Sequence, residues 1–420
     1  MKTLTVTGRE KLSGEVVIHG SKNAALPLLF ASLLFSEPIE LENLPSITDV
    51  SASLALLAAL GVRATETGRG RVCLDPSSAR PAPLPPSLSG SLRGSLYLLG
   101  AAAGRLGELS LPRPGGCNFG ARPIDLHLAV LRAMGLSVSL SGEGVSVKGR
   151  PRGAVIDFKT VSVGATVNAI LCAVLADGRT VLTGAAREPH VLDLVGFLRA
   201  AGARIARPAP GVYVIDGVPR LHGVSYRVCP DMIEAGTYLF FALATGGNVT
   251  LRSAPADQIA PILPLLEAAG AKIGAGVGSL SLCAPARPRA LSVETAPYPG
   301  FPTDLQPQLT ALACLSDGEG RISDPIFPTR FGYVPDLIRM GASVSVSDGC
   351  AVVSGVPRLR GASVTAPDLR AGAALTLAAL AAEGESRIAR FDLIERGYAD
   401  YVRSLTALGA RVTLCDGDGA

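Results

Sequence analysis

Ala201-Gly202-Ala203-Arg204-Ile205 closes an apolar helical run and opens an alternating, strand-like one. The same junction recurs at Leu60-Gly61-Val62, Met134-Gly135-Leu136, Ala269-Gly270-Ala271, Met340-Gly341-Ala342 and Leu408-Gly409-Ala410. The six glycines stand 74, 67, 68, 71 and 68 residues apart, so the chain repeats about every sixth of its length. A helix that ends on a left-handed residue favours glycine there, because other side chains are strained in that conformation. Between the junctions, apolar helices are predicted at about 24–35, 95–105, 164–176, 234–245, 305–315 and 369–382, each followed by a short strand. Those strands include Ile39–Leu41, Glu108–Leu111, Thr180–Leu182 and Val249–Leu251. One such unit cannot bury its apolar helix alone, so several must pack together. The prediction is an α/β protein of two domains with a boundary near residue 229. Each domain holds three repeated units, helices inside and sheets outside, like an inverted α/β barrel.

Composition agrees with buried central helices. Mean hydropathy is +0.37 and 48% of the 420 residues are hydrophobic, yet the longest apolar runs are near 12 residues, too short to span a bilayer. Met1–Val6 alternates like a strand and has no signal-peptide core. Eight scattered cysteines without CxxC pairs point to a reducing compartment. A cytoplasmic protein without membrane association is expected. The net charge of +4, with no basic run interleaved with aromatics, argues against a nucleic-acid partner. No phosphate-loop, dinucleotide or HExxH motif is present, and the four histidines are dispersed, so neither a metal nor a nucleotide redox cofactor is expected.

Two features point to chemistry. Cys117 lies in Pro114-Gly115-Gly116-Cys117-Asn118-Phe119-Gly120-Ala121-Arg122-Pro123, where glycines loosen the loop and a guanidinium is five residues away. Such a thiol is a candidate reactive group. The alternative is the usual one for cysteine, a small apolar residue, which fits Cys73, Cys172, Cys229, Cys283, Cys314, Cys350 and Cys415 better. The second feature is charge at helix starts. Ser162, Asp231, Thr303 and Asp368 read as ordinary N-caps, but Lys22, Arg93 and Arg370 set a cation where the helix dipole is already positive. That arrangement calls for an anion and suits a ligand with several negative charges. Lys22 is one of only six lysines among 39 basic residues, so its compact ammonium is a candidate functional group, with a solvated surface lysine as the alternative.

Several segments together resemble the enolpyruvyl transferases almost end to end. They are Gly20-Ser21-Lys22-Asn23-Ala24-Ala25-Leu26-Pro27, the run from Pro114 to His127, Ser162-Val163-Gly164-Ala165-Thr166, Ala186-Arg187-Glu188-Pro189, Phe301-Pro302-Thr303-Asp304, Asp368-Leu369-Arg370-Ala371 and Arg396-Gly397-Tyr398. Within that family the Gly-Gly-Cys loop and Asn23 favour the branch that uses UDP-N-acetylglucosamine over the one that uses shikimate 3-phosphate. The resemblance implies a domain of residues 21–229 carrying the Cys117 lid loop, and a second of residues 1–20 and 230–420, with the active site in the cleft between them. It implies transfer of the enolpyruvyl group of phosphoenolpyruvate to the sugar 3-hydroxyl with release of phosphate, an early cytoplasmic step of peptidoglycan synthesis. By position, Lys22, Asn23, Arg122, Arg330, Arg370 and Arg396 bind phosphoenolpyruvate, with Arg330 and Arg370 at its carboxylate. Cys117 is the proton donor, Asp304 the candidate base for the sugar hydroxyl, and Lys22 and Arg396 complete the catalytic set. Asn23, Arg93, Arg122, Pro123, Ile124, Asp125, Leu126, Thr160, Val161, Ser162, Val163, Asp304 and Ile326 hold the UDP-sugar.

Four departures from the family pattern stand out: two extra residues in Leu111-Pro112-Arg113-Pro114, Thr160 where lysine is common, Pro328-Thr329 for Glu-Asn, and Leu393 for histidine. They leave a slow or non-catalytic UDP-sugar-binding paralogue as the competing expectation.

Overall fold

The computed structural model describes residues 2–113, 115 and 124–416. Cys117, Arg122 and Pro123 lie outside the described residues. Contacts divide the chain into two compact units, residues 2–19 with 230–416 and residues 20–113, 115 and 124–229.

The six apolar segments form helices Lys22–Ala31, Tyr97–Arg105, Val163–Ala173, Met232–Thr245, Gln306–Ala313 and Leu369–Ala381. Their apolar sequence on all sides is explained by burial. Ala24–Ala31, Ala165–Ala173, Met232–Leu243 and Leu369–Leu380 are buried without a break. All six junction glycines adopt positive φ, from +81° at Gly135 to +103° at Gly270. At Gly341 and Gly409 a Cβ would meet nothing within 4 Å, so backbone conformation alone selects glycine there.

Each unit carries three sheets, and five of the six follow one plan. The strand after the central helix lies inside the sheet, flanked by a short parallel strand on one side and an antiparallel strand on the other. Arg179–Thr183, for instance, runs parallel to Val155–Asp157 and antiparallel to Val212–Asp216, which pairs onward with Arg204–Ala209. The sixth sheet has three strands, Glu108–Pro112, Gly144–Lys148 and Ser137–Ser141. Strands distant in sequence complete a sheet within each unit. Ser225–Arg227 joins Ile39–Glu42 in parallel, and Lys2–Thr7 inserts between Glu385–Ala389 and Arg411–Asp416. No helix among the described residues is long and apolar enough to cross a membrane.

The cysteines divide. Cys172 and Cys314 are buried, and burial pushes both thiols up to about 12. Cys283 and Cys415 are exposed, which corrects the expectation that all seven behave as packed apolar residues. Cys283 ends strand Ser279–Cys283, where alternation turns its side chain to solvent, and Cys415 lies near the end of the edge strand Arg411–Asp416.

Candidate active site

In the unit of residues 20–229, Lys22 opens its helix and its Nζ lies 2.9 Å from Asp49 Oδ2, both side chains almost wholly buried. Asp49 stands in the first turn of helix Thr48–Ala59, where the dipole favours a carboxylate. Arg93 begins a short 3-10 turn, Arg93–Leu96. The next residue, Gly94, packs on the Lys22 helix, for its Cβ would come within 3.1 Å of Leu26 Cδ1. Ile124 precedes helix Asp125–Ala133, whose first residues are Asp125 and Leu126. His127 in that helix lies against Gly164, where a Cβ would meet its ring at 2.6 Å. Thr160 and Val161 are exposed, and Ser162 caps helix Val163–Ala173 by accepting from Ala165 N at 3.3 Å. Asn168 ties these pieces together. Its amide donates to Leu96 O at 3.0 Å and faces His127 Nδ1 at 2.7 Å, while its oxygen accepts from Gly100 N at 2.8 Å. Helix Val163–Ala173 is thereby tied to the end of the Arg93 turn, to helix Tyr97–Arg105 and to His127.

In the other unit, Asp304 bridges two arginines. Its Oδ1 accepts from Arg330 Nη1 at 3.0 Å, and its Oδ2 from Arg370 Nη2 at 3.0 Å and Nε at 3.3 Å. The arginine side chains are 3% and 2% exposed, against 27% for Asp304. Arg370 is the second residue of its helix; Asp368 caps that helix by accepting from Arg370 N at 2.8 Å and Ala371 N at 3.1 Å. The guanidinium of Arg370 lies 5.4 Å over the Tyr398 ring. Burial opposes its charge, but Asp304, then Tyr398 and Asp231, more than offset this and its pKa is raised. Asp231 caps helix Met232–Thr245, as its sequence suggests. Ile326 is 37% exposed on the loop before Arg330. Arg396 closes the turn Phe391–Arg396, two residues before Tyr398.

The structure thus joins Asp304, Arg330 and Arg370, and it answers the cations of Lys22 and Arg370 with protein carboxylates. Asp49 beside Lys22 in one unit, and Tyr398 beside Arg370 and Asp324 beside Thr303 in the other, are partners that the sequence did not single out. Asp49 reads in sequence as a dipole partner of its own helix, and Asp324 as a loop residue.

A family model described as EPSP synthase (3-phosphoshikimate 1-carboxyvinyltransferase) matches residues 6–405. The chain belongs to the EPSP synthase family. A family relative from Yersinia pestis (strain Pestoides F), named UDP-N-acetylglucosamine 1-carboxyvinyltransferase, is 43% identical over 100% of both chains. A Yersinia pseudotuberculosis relative of the same name is equally similar over the same span. Among solved structures of the family, the enolpyruvyl transferase NikO from Streptomyces tendae matches with a TM-score of 0.89 at 28% identity, covering 99% of each chain. An EPSP synthase from Acinetobacter baumannii shares the fold, with a TM-score of 0.75 at 16% identity over 99% of this chain and 100% of that one.

Proposed function

We propose that this enzyme transfers the enolpyruvyl group of phosphoenolpyruvate to the 3-hydroxyl of UDP-N-acetylglucosamine and releases phosphate, acting in the cytoplasm in peptidoglycan synthesis. The observation that carries the reading is Asp304 held between Arg330 and Arg370, a place built for a carboxylate. The full-length 43% identity to relatives bearing the UDP-sugar name favours that acceptor over shikimate 3-phosphate.

In this reading Arg330 and Arg370 receive the carboxylate of phosphoenolpyruvate, Lys22 contacts the same substrate with Arg122 and Arg396 near its phosphate, and Asn23 lies with Asp304 at the sugar hydroxyl. Cys117 delivers a proton to the methylene carbon, and Asp304 takes the proton of the attacking hydroxyl; such acid and base groups each contribute about 10²–10⁴-fold. Arg93, Arg122, Pro123, Ile124, Asp125, Leu126, Thr160–Val163 and Ile326 hold the UDP-sugar. Residues 21–229 act as the domain carrying the Cys117 loop, and residues 1–20 with 230–420 as the other.

Phosphate release is measured with phosphoenolpyruvate and either UDP-N-acetylglucosamine or shikimate 3-phosphate. Release with the UDP-sugar alone is expected. Release with shikimate 3-phosphate refutes the acceptor, and release with neither, in protein that binds the UDP-sugar, makes the chain a binder.

A further inference from the structure

Asp324 is fully buried, and the hydrogen bonds it accepts come from neutral donors. Its Oδ1 accepts from Thr295 Oγ1 at 2.7 Å, Ile326 N at 3.1 Å and Phe327 N at 2.9 Å, and its Oδ2 from Thr303 Oγ1 at 2.6 Å. A buried carboxylate is costly unless its lone pairs are used, and here they fasten three segments together: Thr295, Thr303-Asp304, and the start of the loop from Ile326 to Arg330. Thr303 completes the link, because Arg330 Nη1 donates to its Oγ1 at 3.2 Å and to its carbonyl at 3.1 Å.

The direction of the Thr303 hydroxyl is therefore set. Its proton goes to Asp324, which leaves its lone pairs facing the Arg330 guanidinium. A hydroxyl that donates to a carboxylate is a better acceptor for a cation on its other side. We propose that Asp324 is a positioning residue for the substrate-carboxylate site: through the Thr303 hydroxyl it fixes the head of Arg330 against Asp304. The proposal rests on the reading of Arg330 as a ligand of the phosphoenolpyruvate carboxylate.

Asparagine at 324 tests the polarity of this relay with little change of shape. Its single carbonyl oxygen stays with the three donors now on Oδ1, so its NH2 faces Thr303 Oγ1. The Thr303 hydroxyl must then accept from the amide, so it no longer donates to a carboxylate and becomes a poorer acceptor for Arg330. Asp324→Asn is expected to raise KM for phosphoenolpyruvate about tenfold, the weight of one charge-assisted hydrogen bond. KM for UDP-N-acetylglucosamine is expected to stay within about twofold, since the bond to Ile326 N survives.

Thr303→Val removes the same relay at its other end and is expected to act alike. The double variant should be no worse than either single one, because groups acting through one contact are not additive. A multiplied effect in the double variant, equal rises in both Michaelis constants, or an unchanged KM for phosphoenolpyruvate would each overturn the proposal. Should Asp324→Asn fail to fold, Thr303→Val alone carries the comparison between the two substrates. Wild-type turnover separates the two claims. An inactive wild type overturns the functional reading and the proposal with it, whereas an active one with insensitive variants overturns only the proposal.

Discussion

Replacing Asp304 by asparagine removes the carboxylate that Arg330 and Arg370 share, and the result separates binding from turnover. Removing one partner of a fully buried ion pair costs about 3–5 kcal/mol, whereas an exposed pair is worth about 0.2–1 kcal/mol. The two arginines are 3% and 2% exposed and Asp304 is 27% exposed, so the pairs fall between these limits. Asparagine still offers one oxygen to one guanidinium, which brings the expected loss to about 2 kcal/mol. In a cooperative unit of this size that lowers Tm by roughly 4–8 °C. Phosphoenolpyruvate then has an advantage in the variant, because its carboxylate enters between two guanidiniums without displacing one already there. Thermal melts with and without phosphoenolpyruvate should show a larger ligand-induced rise in the variant than in the wild type. Phosphate release should meanwhile fall about 10²–10⁴-fold through loss of the base. A ligand-induced rise that is smaller in the variant, or no loss of Tm, would refute the reasoning.

Arg370→Lys should raise KM for phosphoenolpyruvate more than KM for the UDP-sugar, since a lysine cannot reproduce the contacts that Nε and Nη2 make with a carboxylate; equal rises would contradict the assignment. Cys117→Ser should abolish most phosphate release because a hydroxyl is a poorer acid, while Cys117→Asp retains a proton donor and part of the activity. Cys172 and Cys314 hold their protons to about 12 when folded, against 9.0 as the ordinary value. The unfolded chain therefore binds fewer protons in that window, and stability should fall as pH rises from about 9 toward 12, by about 1.4 kcal/mol per pH unit per thiol. Cys172→Ala should flatten that decline in alkaline urea melts, and an unchanged slope would count against it. Gly409→Ala should cost about 1–2 kcal/mol, from backbone strain at φ +88° alone. Gly61→Ala should cost more, since its Cβ would also meet Ser78 O at 2.6 Å; chemical denaturation of the two variants compares them.

The repeat was legible because its signals are local. A glycine that must turn left-handed and a largely apolar helix are each visible within a dozen residues, and all six of each are present. The way sheets are completed was not. Nothing near Lys2–Thr7 says that it pairs with Glu385–Ala389 and Arg411–Asp416 at the far end of the sequence. Partners at the site were hidden for the same reason. Arg370 and Asp304 are 66 residues apart, and Asp324 acts through a threonine rather than through a charge of its own. An aspartate in a helix's first turn or in a loop already has a sufficient local explanation, so Asp49 and Asp324 gave no sequence signal beyond that.

Cations at helix starts call for an anion, and the protein supplies it: Lys22 faces Asp49 and Arg370 faces Asp304. The dipole penalty is thus answered without a ligand, and a cation at a helix start does not by itself reveal a binding site. What distinguishes the Asp304 cluster is an asymmetry of exposure. In the surface pairs Arg179–Asp216 and Arg252–Glu15 both partners are solvated, and in Lys22–Asp49 both are enclosed. Around Asp304 the two cations are enclosed and the anion is the partner that solvent reaches. Thr303 at the Arg330 guanidinium and the Tyr398 ring at that of Arg370 hold both heads independently of that carboxylate. An incoming carboxylate meets a site whose charges are already oriented, so the exchange of one anion for another involves little reorganisation of the arginines.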